Sequence, residues 1–305
     1  MSGRTPGGQL TVDQTIDASA DQPQHRARTA DTEPLVTHIQ PTSGWAVPSL
    51  RSLWAYRELL YFLVWRDLKV HYKQTALGVA WVILQPLVAT LIFTTIFGYF
   101  VRLPSGDLPY PVFAFSGFLI WGYFAGVLTR SGTSLVNNAH LITKVYFPRL
   151  IVPLAGTLNG LIDLLVGMVV LLMIMPFFGV FPSPTMLAVP VFVVLALVSG
   201  LGVSLWLSAL DVKYRDVKHI LPFLVQVWMY ASPIIYPISM LPPSVQPIFA
   251  LNPMVGAVEG FRWALTGRGE PPLLLALISA VVGLLFLTTG ALFFRRIERT
   301  FADTI

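Results

Sequence analysis

Three stretches of this sequence, residues 78–100, 187–210 and 272–294, carry no charged side chain, and each is long enough to cross about 30 Å of hydrocarbon as a helix. Two more, 110–128 and 150–178, are apolar over a similar length, with Asp163 the lone charge inside them. Lipid is therefore the expected solvent. Only 11% of the 305 residues are charged, against roughly 25% in a soluble domain, while 55% are hydrophobic. A further apolar segment, 220–236, is short and aromatic. Beyond it Pro237, Pro242, Pro243, Pro247 and Pro253 cut the chain into pieces too short to cross. Re-entrant or interfacial half-helices are expected there, because irregular backbone at membrane depth must be covered by protein or water. The expected fold is an all-α integral membrane domain: six transmembrane helices, an N-terminal amphipathic interfacial helix, and re-entrant half-helices between spans five and six.

Local patterns refine this outline. Residues 1–44 are polar and Pro-containing with hardly an aromatic residue, so they read as a disordered cytoplasmic tail ahead of one domain over 45–305. From 52 to 74 the period becomes helical: Tyr61, Trp65, Leu68 and Tyr72 share one face, with Arg66, Lys69 and Lys73 beside it. Such a helix sets its rings at headgroup level and its cations toward phosphate or water. Gln85-Pro86 predicts a kink in the first span, and Gly117, Gly122 and Gly126 predict close helix approach in the second. The stretch 130–148 is too polar to span and is expected as a cytoplasmic loop with a short helix. Residues 211–219 return the chain to a charged surface.

Charge sets the orientation. Arg51, Arg57, Arg66, Lys69, Lys73, Arg130, Lys144, Arg149, Lys213, Arg215, Lys218, Arg295, Arg296 and Arg299 fall in segments assigned to one side, and only Arg102, Arg262 and Arg268 to the other. The positive-inside rule places the first set, and both termini, in the cytoplasm. The formal net charge of +5 is thus explained by topology and anionic headgroups, not by nucleic acid.

Several chemistries lack their residues. There is no cysteine, no G-x-x-x-x-G-K-[ST] phosphate loop, no H-E-x-x-H zinc motif and no G-x-S-x-G elbow. The histidines are scattered, with His71, His140 and His219 near cytoplasmic helix ends. No catalytic or metal residue is assigned, and any ATP must be handled by another subunit. Asp163 stands apart, because a carboxylate within a span is costly and marks either function or a polar packing contact. Asn159, four residues earlier on the same face, is its nearest candidate partner.

The order of motifs then carries a resemblance. WRDLKVHYKQTALGVAWVILQPL, NNAHLITKVYFPRLIVP, DVKYRDVKHILPF and YPISMLPPSVQPIFALNPM, interleaved with these spans, closely resemble ABC-2 type permeases of the polysaccharide exporter family. The likeness covers about residues 57–299 and is greatest to O-antigen, galactan and teichoic-acid export permeases. It implies a homodimer in the bacterial cytoplasmic (inner) membrane, joined to two copies of a separate ABC ATPase that binds ATP and Mg. The implied cargo is a polysaccharide of O-antigen or cell-wall galactan type on a polyprenyl pyrophosphate lipid, with teichoic acid, or a smaller lipid or drug, as the alternative.

Carried onto this chain, the resemblance assigns an ATPase-coupling helix to Asn137, Asn138, His140, Leu141, Lys144, Tyr146 and Phe147. A second cytoplasmic contact falls on Asp211, Arg215 and Asp216. Arg66, Lys69 and Lys73 are expected to attract the lipid pyrophosphate or headgroups by charge-assisted hydrogen bonds. Phe97, Tyr99, Phe223, Trp228 and Tyr230 are expected to offer apolar faces to a sugar path.

Overall fold

A computed structural model describes residues 50–73 and 79–298. The expectations for the tail at 1–44 and for Arg299 lie outside the described residues, as does the Lys73 side chain. Helix α1 (Leu50–Ala55) leads into the interfacial helix α2 (Arg57–Lys73). Helix α3 (Val79–Phe93) runs straight on through a π-helical turn at Thr94–Phe100, where the Val101 N–H reaches back five residues to the Ile96 carbonyl. The helix continues through Pro86, and a π-helical turn follows it at Thr94–Phe100. Helices α4 (Tyr110–Gly132), α5 (Ser134–Asn137), α6 (Ala139–Lys144) and α7 (Ile151–Ile174) follow, then α8 (Val189–Lys213), α9 (Val217–Tyr230), α10 (Gln246–Phe249), α11 (Pro253–Thr266) and α12 (Leu273–Glu298). No strand forms among the described residues.

Five helical stretches are long and apolar enough to cross a membrane: Ala80–Phe100, Tyr110–Gly132, Ile151–Phe178, Pro184–Lys213 and Leu273–Glu298. The chain is therefore an all-α integral membrane protein. The short aromatic segment forms the 14-residue α9, about 21 Å long at 1.5 Å per residue, and the Pro-rich stretch after it folds into the short α10 and the 14-residue α11.

Helix α4 is the centre of the core. Phe115, Ile120, Phe124, Val127 and Leu128 on it are almost fully buried, and α3, α7, α8, α9 and α11 all pack around it. By contrast, α3 leaves Trp81, Leu84, Val88, Leu91 and Ile92 exposed on the single chain, as an apolar span next to lipid or a second copy does. Helices α8 and α12 touch backbone to backbone at Gly202 and Gly290; a Cβ on Gly202 would lie 2.5 Å from the Leu287 nitrogen. Of the three glycines expected to admit a neighbouring helix, Gly117 faces the Ile234 carbonyl and the Arg262 side chain, Gly126 faces Arg130 of its own helix, and Gly122 faces open space.

Two arginines sit where the sequence pattern does not put them. Arg130 belongs to the last turn of α4, which continues to Gly132, and not to a loop. Arg262, counted as an outer-loop cation, is 3% exposed inside α11. Its guanidinium donates to the carbonyls of Phe113 (3.2 Å), Pro233 (2.6 Å) and Ile234 (2.7 Å) and to Glu259 (3.2 Å). It thereby satisfies the irregular link after α9 and ties it to α4. Asn252 extends the same fastening: its side chain caps α11, donates to the Ala231 carbonyl and to Ser232, and accepts from the Trp228 indole at 2.9 Å.

Candidate functional site

Two cavities meet at one pair of charges. A cleft of about 330 Å³ lies beneath α2, between it, the end of α4, α5 and α7; Arg66, Asp67, Asn137, Asn138 and Asn159 line it. A larger groove of about 650 Å³ lies among α3, α4, α7 and α9, walled by Trp81, Gln85, Phe93, Phe118, Trp121, Tyr123, Gln226 and Met229. Arg130, Asp163 and His71 line both cavities. The residues that separate cleft from groove therefore include an ion pair, Arg130 Nη1 to Asp163 Oδ2 at 2.7 Å.

Three helices supply that wall. Arg130 comes from the end of α4, Asp163 from the middle of α7, and Tyr72 from the end of α2, whose hydroxyl donates to Asp163 Oδ1 at 2.7 Å. Burial first, and the hydrogen bond to Asp163 second, push the Tyr72 phenol well above its ordinary pKa, so it stays a neutral donor. The guanidinium fits because glycines leave room: a Cβ on Gly126 would lie 2.7 Å from Arg130 Nη2, and one on Gly160 would lie 2.8 Å from it. Asp163 does not use Asn159, whose Oδ1 is buried without a partner.

The cleft also joins α2 to the segment assigned to ATPase coupling. Arg66 Nη2 donates to Asn138 Oδ1 at 2.7 Å and also pairs with Asp67, while Asn138 Nδ2 donates to the Ser134 carbonyl. Within that segment Asn137 ends α5, α6 follows over Ala139–Lys144, and residues 145–147 lead out of it. Asn137, His140, Lys144 and Tyr146 are exposed, Tyr146 at 75%, whereas Phe147 is buried and Leu141 packs beside it in a core formed with Ile142 and Ile151. The pattern is a knuckle with an apolar root and an exposed outer surface.

The other expected residues are distributed as follows. Lys69 is exposed, its ammonium 5.3 Å from the centre of the Trp65 ring. Asp211 is buried at the end of α8 and accepts from the Lys218 backbone, clamping the turn into α9, while Arg215 and Asp216 are exposed. Tyr99, Phe223 and Tyr230 are exposed on the single chain, and Phe97 is half-buried and stacked on Phe93. Trp228 is fastened by Asn252 and meets Phe124 edge-on. None of these five aromatics is among the groove's lining residues. Among the described residues no group of three or more His, Cys, Asp or Glu gathers into a metal site. The wall offers guanidinium and hydroxyl donors, the chemistry of anion recognition.

Comparison with known proteins now bears on this arrangement. The family model described as ABC-2 type transporter matches residues 58–266, more than half of the chain. The chain belongs to the ABC-2 type transporter family. This ABC-2 chain is 28% identical over 258 residues to the O-antigen export system permease protein RfbA of Myxococcus xanthus, covering 84% of the chain and 98% of that relative. It is 27% identical to the RfbA of Klebsiella pneumoniae over 81% of the chain and 95% of the relative. The polysialic acid transport protein KpsM of Escherichia coli is 24% identical over 65% of the chain and 78% of its own length. The matched region holds the whole wall, the cleft and the groove.

Proposed function

We propose that this ABC-2 chain is the permease subunit of an ATP-driven exporter that moves a polyprenyl-pyrophosphate-linked polysaccharide, of the O-antigen or cell-wall galactan type, across the bacterial cytoplasmic membrane. The similarity to two export permeases named for O-antigen, over most of both chains, carries the reading. Two copies of the chain work with two copies of a separate ABC ATPase, which holds ATP and Mg; this chain makes and breaks no covalent bond. In the working dimer α9 is the short fifth of six crossings, and both termini lie in the cytoplasm.

The geometry supports a route for coupling. The exposed tip of the knuckle, from Asn137 through Tyr146, docks in the ATPase, with Arg215 and Asp216 as a second contact. Motion of the knuckle passes to α2 through Arg66 and Asn138, and from α2 to the wall through Tyr72 and Asp163. A ligand or nucleotide shifts such an equilibrium only through contacts that differ between two states, and these two hydrogen bonds join the moving parts. Lys69 holds α2 at the anionic headgroup plane.

The test is purification with a co-expressed candidate ATPase in lipid nanodiscs, followed by ATP hydrolysis with and without a polyprenyl-linked polysaccharide. Stimulation by that lipid-linked glycan supports the exporter. Stimulation only by teichoic acid, simple lipid or a small hydrophobic compound reassigns the cargo, and failure of any ATPase to bind refutes the assignment of a subunit.

A further inference from the structure

The wall holds more hydrogen-bonding capacity than its ion pair uses. Tyr123 Oη, Arg130 Nε and Asn159 Oδ1 are all buried and without a partner. Tyr123 is 3% exposed and Asn159 is 7% exposed, so water does not serve them through the surface. The Tyr123 ring and the Arg130 guanidinium also converge on Gly160, since a Cβ there would meet Tyr123 Cδ2 at 3.0 Å and Arg130 Nη2 at 2.8 Å. An ion pair kept only for packing satisfies its remaining atoms from its surroundings. Here a guanidinium N–H of a residue that lines both cavities and a phenol O–H of one that lines the groove are both left idle.

The cavities differ in character, and the difference defines what fits across them. On the cleft side the lining is polar: Arg66, Asp67, Asn137, Asn138 and Asn159. On the groove side it is aromatic and aliphatic, with Phe93, Phe118, Leu119, Val225 and Met229. A molecule that uses both sides and the wall has an apolar chain for the groove and an anionic head for Arg130.

Resting on the exporter reading, we infer that Arg130, Asp163 and Tyr72 form a gate for a phosphate-bearing amphiphile, in which Asp163 occupies Arg130 while the gate is shut and phosphate replaces it when the gate opens. Phosphate oxygens accept from the guanidinium, including its idle Nε–H, and from the Tyr123 hydroxyl. Tyr72, released from Asp163 when α2 shifts, is the hinge-side member. Asp163 is then a positioning residue that keeps the passage closed to anions until α2 moves, and Arg130 is the residue that recognises the head. Only an ion pair open to both cavities can make this exchange, and its side chains are 32% and 21% exposed.

The test uses the full chain with its ATPase in nanodiscs and three radiolabelled probes: a short polyprenyl pyrophosphate, phosphatidylglycerol and uncharged polyprenol. Arg130→Gln is expected to weaken binding of the pyrophosphate probe at least about tenfold while leaving polyprenol binding unchanged. Asp163→Asn is expected to tighten pyrophosphate binding several-fold, because Arg130 loses its resident competitor. If Arg130→Gln unfolds, two other variants carry the test. The exchange R130D/D163R keeps an ion pair and the unfolding temperature yet loses the pyrophosphate. Gly160→Ala displaces the guanidinium without removing its charge and also weakens binding. Equal pyrophosphate binding by wild type and folded Arg130 variants overturns the gate and leaves the exporter reading standing. Preference for phosphatidylglycerol over the pyrophosphate, lost in Arg130→Gln, upholds the gate and refutes the proposed cargo. Failure of wild type to bind either phosphate lipid overturns both.

Discussion

Replacing Arg262 by Met tests whether this buried cation holds the link after α9 in place. The side chain serves three carbonyls, but the Phe113 carbonyl also accepts from Ser116 at 3.0 Å, so its loss is cushioned. The carbonyls of Pro233 and Ile234 sit in buried residues and take their hydrogen bonds from Arg262 at 2.6 and 2.7 Å. Leaving a buried acceptor unpaired costs about 1–3 kcal/mol, so two such carbonyls and the lost stacking on Phe113 make Arg262→Met about 4 kcal/mol less stable. Glu259, left without its partner, adds a second cost, because its buried carboxyl must either keep an unpaired charge or take up a proton. The double variant Glu259→Leu with Arg262→Met separates the two explanations. Exchanging a buried ion pair for apolar side chains is often neutral, yet here the orphaned carbonyls keep the double variant unstable as well. Equilibrium unfolding in mixed micelles, followed by tryptophan fluorescence, gives both values. A double variant within about 1 kcal/mol of wild type refutes the carbonyl argument.

Tyr146→Ala, at a 75% exposed position on the knuckle, is expected to abolish substrate-stimulated ATP hydrolysis in the assembled complex without moving the unfolding midpoint. Gly202→Ala forces α8 and α12 apart, where a Cβ meets the Leu287 nitrogen at 2.5 Å; a loss of about 1–3 kcal/mol is expected by the same unfolding assay. Trp228→Phe removes the bond to Asn252 and costs about 1 kcal/mol. Phe223→Ala, 69% exposed on the single chain, stays within about 0.5 kcal/mol of wild type, and unfolding curves of the two variants side by side check the contrast.

The membrane-spanning helices were legible because they depend on continuous apolar length, a local property that survives without knowledge of neighbours. Helix α2 was legible from its periodicity, and the stretch 130–148 from its polarity as a loop with a short helix. What the sequence hides are partnerships across the fold. Arg130 follows an apolar run directly, so charge counting assigned it to a loop; its partner Asp163 lies 33 positions away. Asp163 stood out as a charge within a span, but local spacing favoured Asn159 over Tyr72, which is 91 positions distant. Arg262 looked like an outer cation because the Pro-rich stretch around it has no simple period, and its carbonyl partner on Phe113 is 149 positions away. Gly160 and Gly126 were a usable signal in retrospect, since small residues one or two turns from a charge leave room for it.

The most direct test of the exporter reading is transfer itself. Proteoliposomes containing this chain, its ATPase and a polyprenyl-linked glycan confined to the ATPase-facing leaflet would be given ATP, and a membrane-impermeant glycosidase would report which glycans reach the opposite side. The exporter reading requires ATP-dependent loss or gain of protection according to leaflet, absent with a non-hydrolysable ATP analogue and absent from the Tyr146→Ala complex. Glycan that stays on its original leaflet in a complex that binds the lipid and hydrolyses ATP would contradict it.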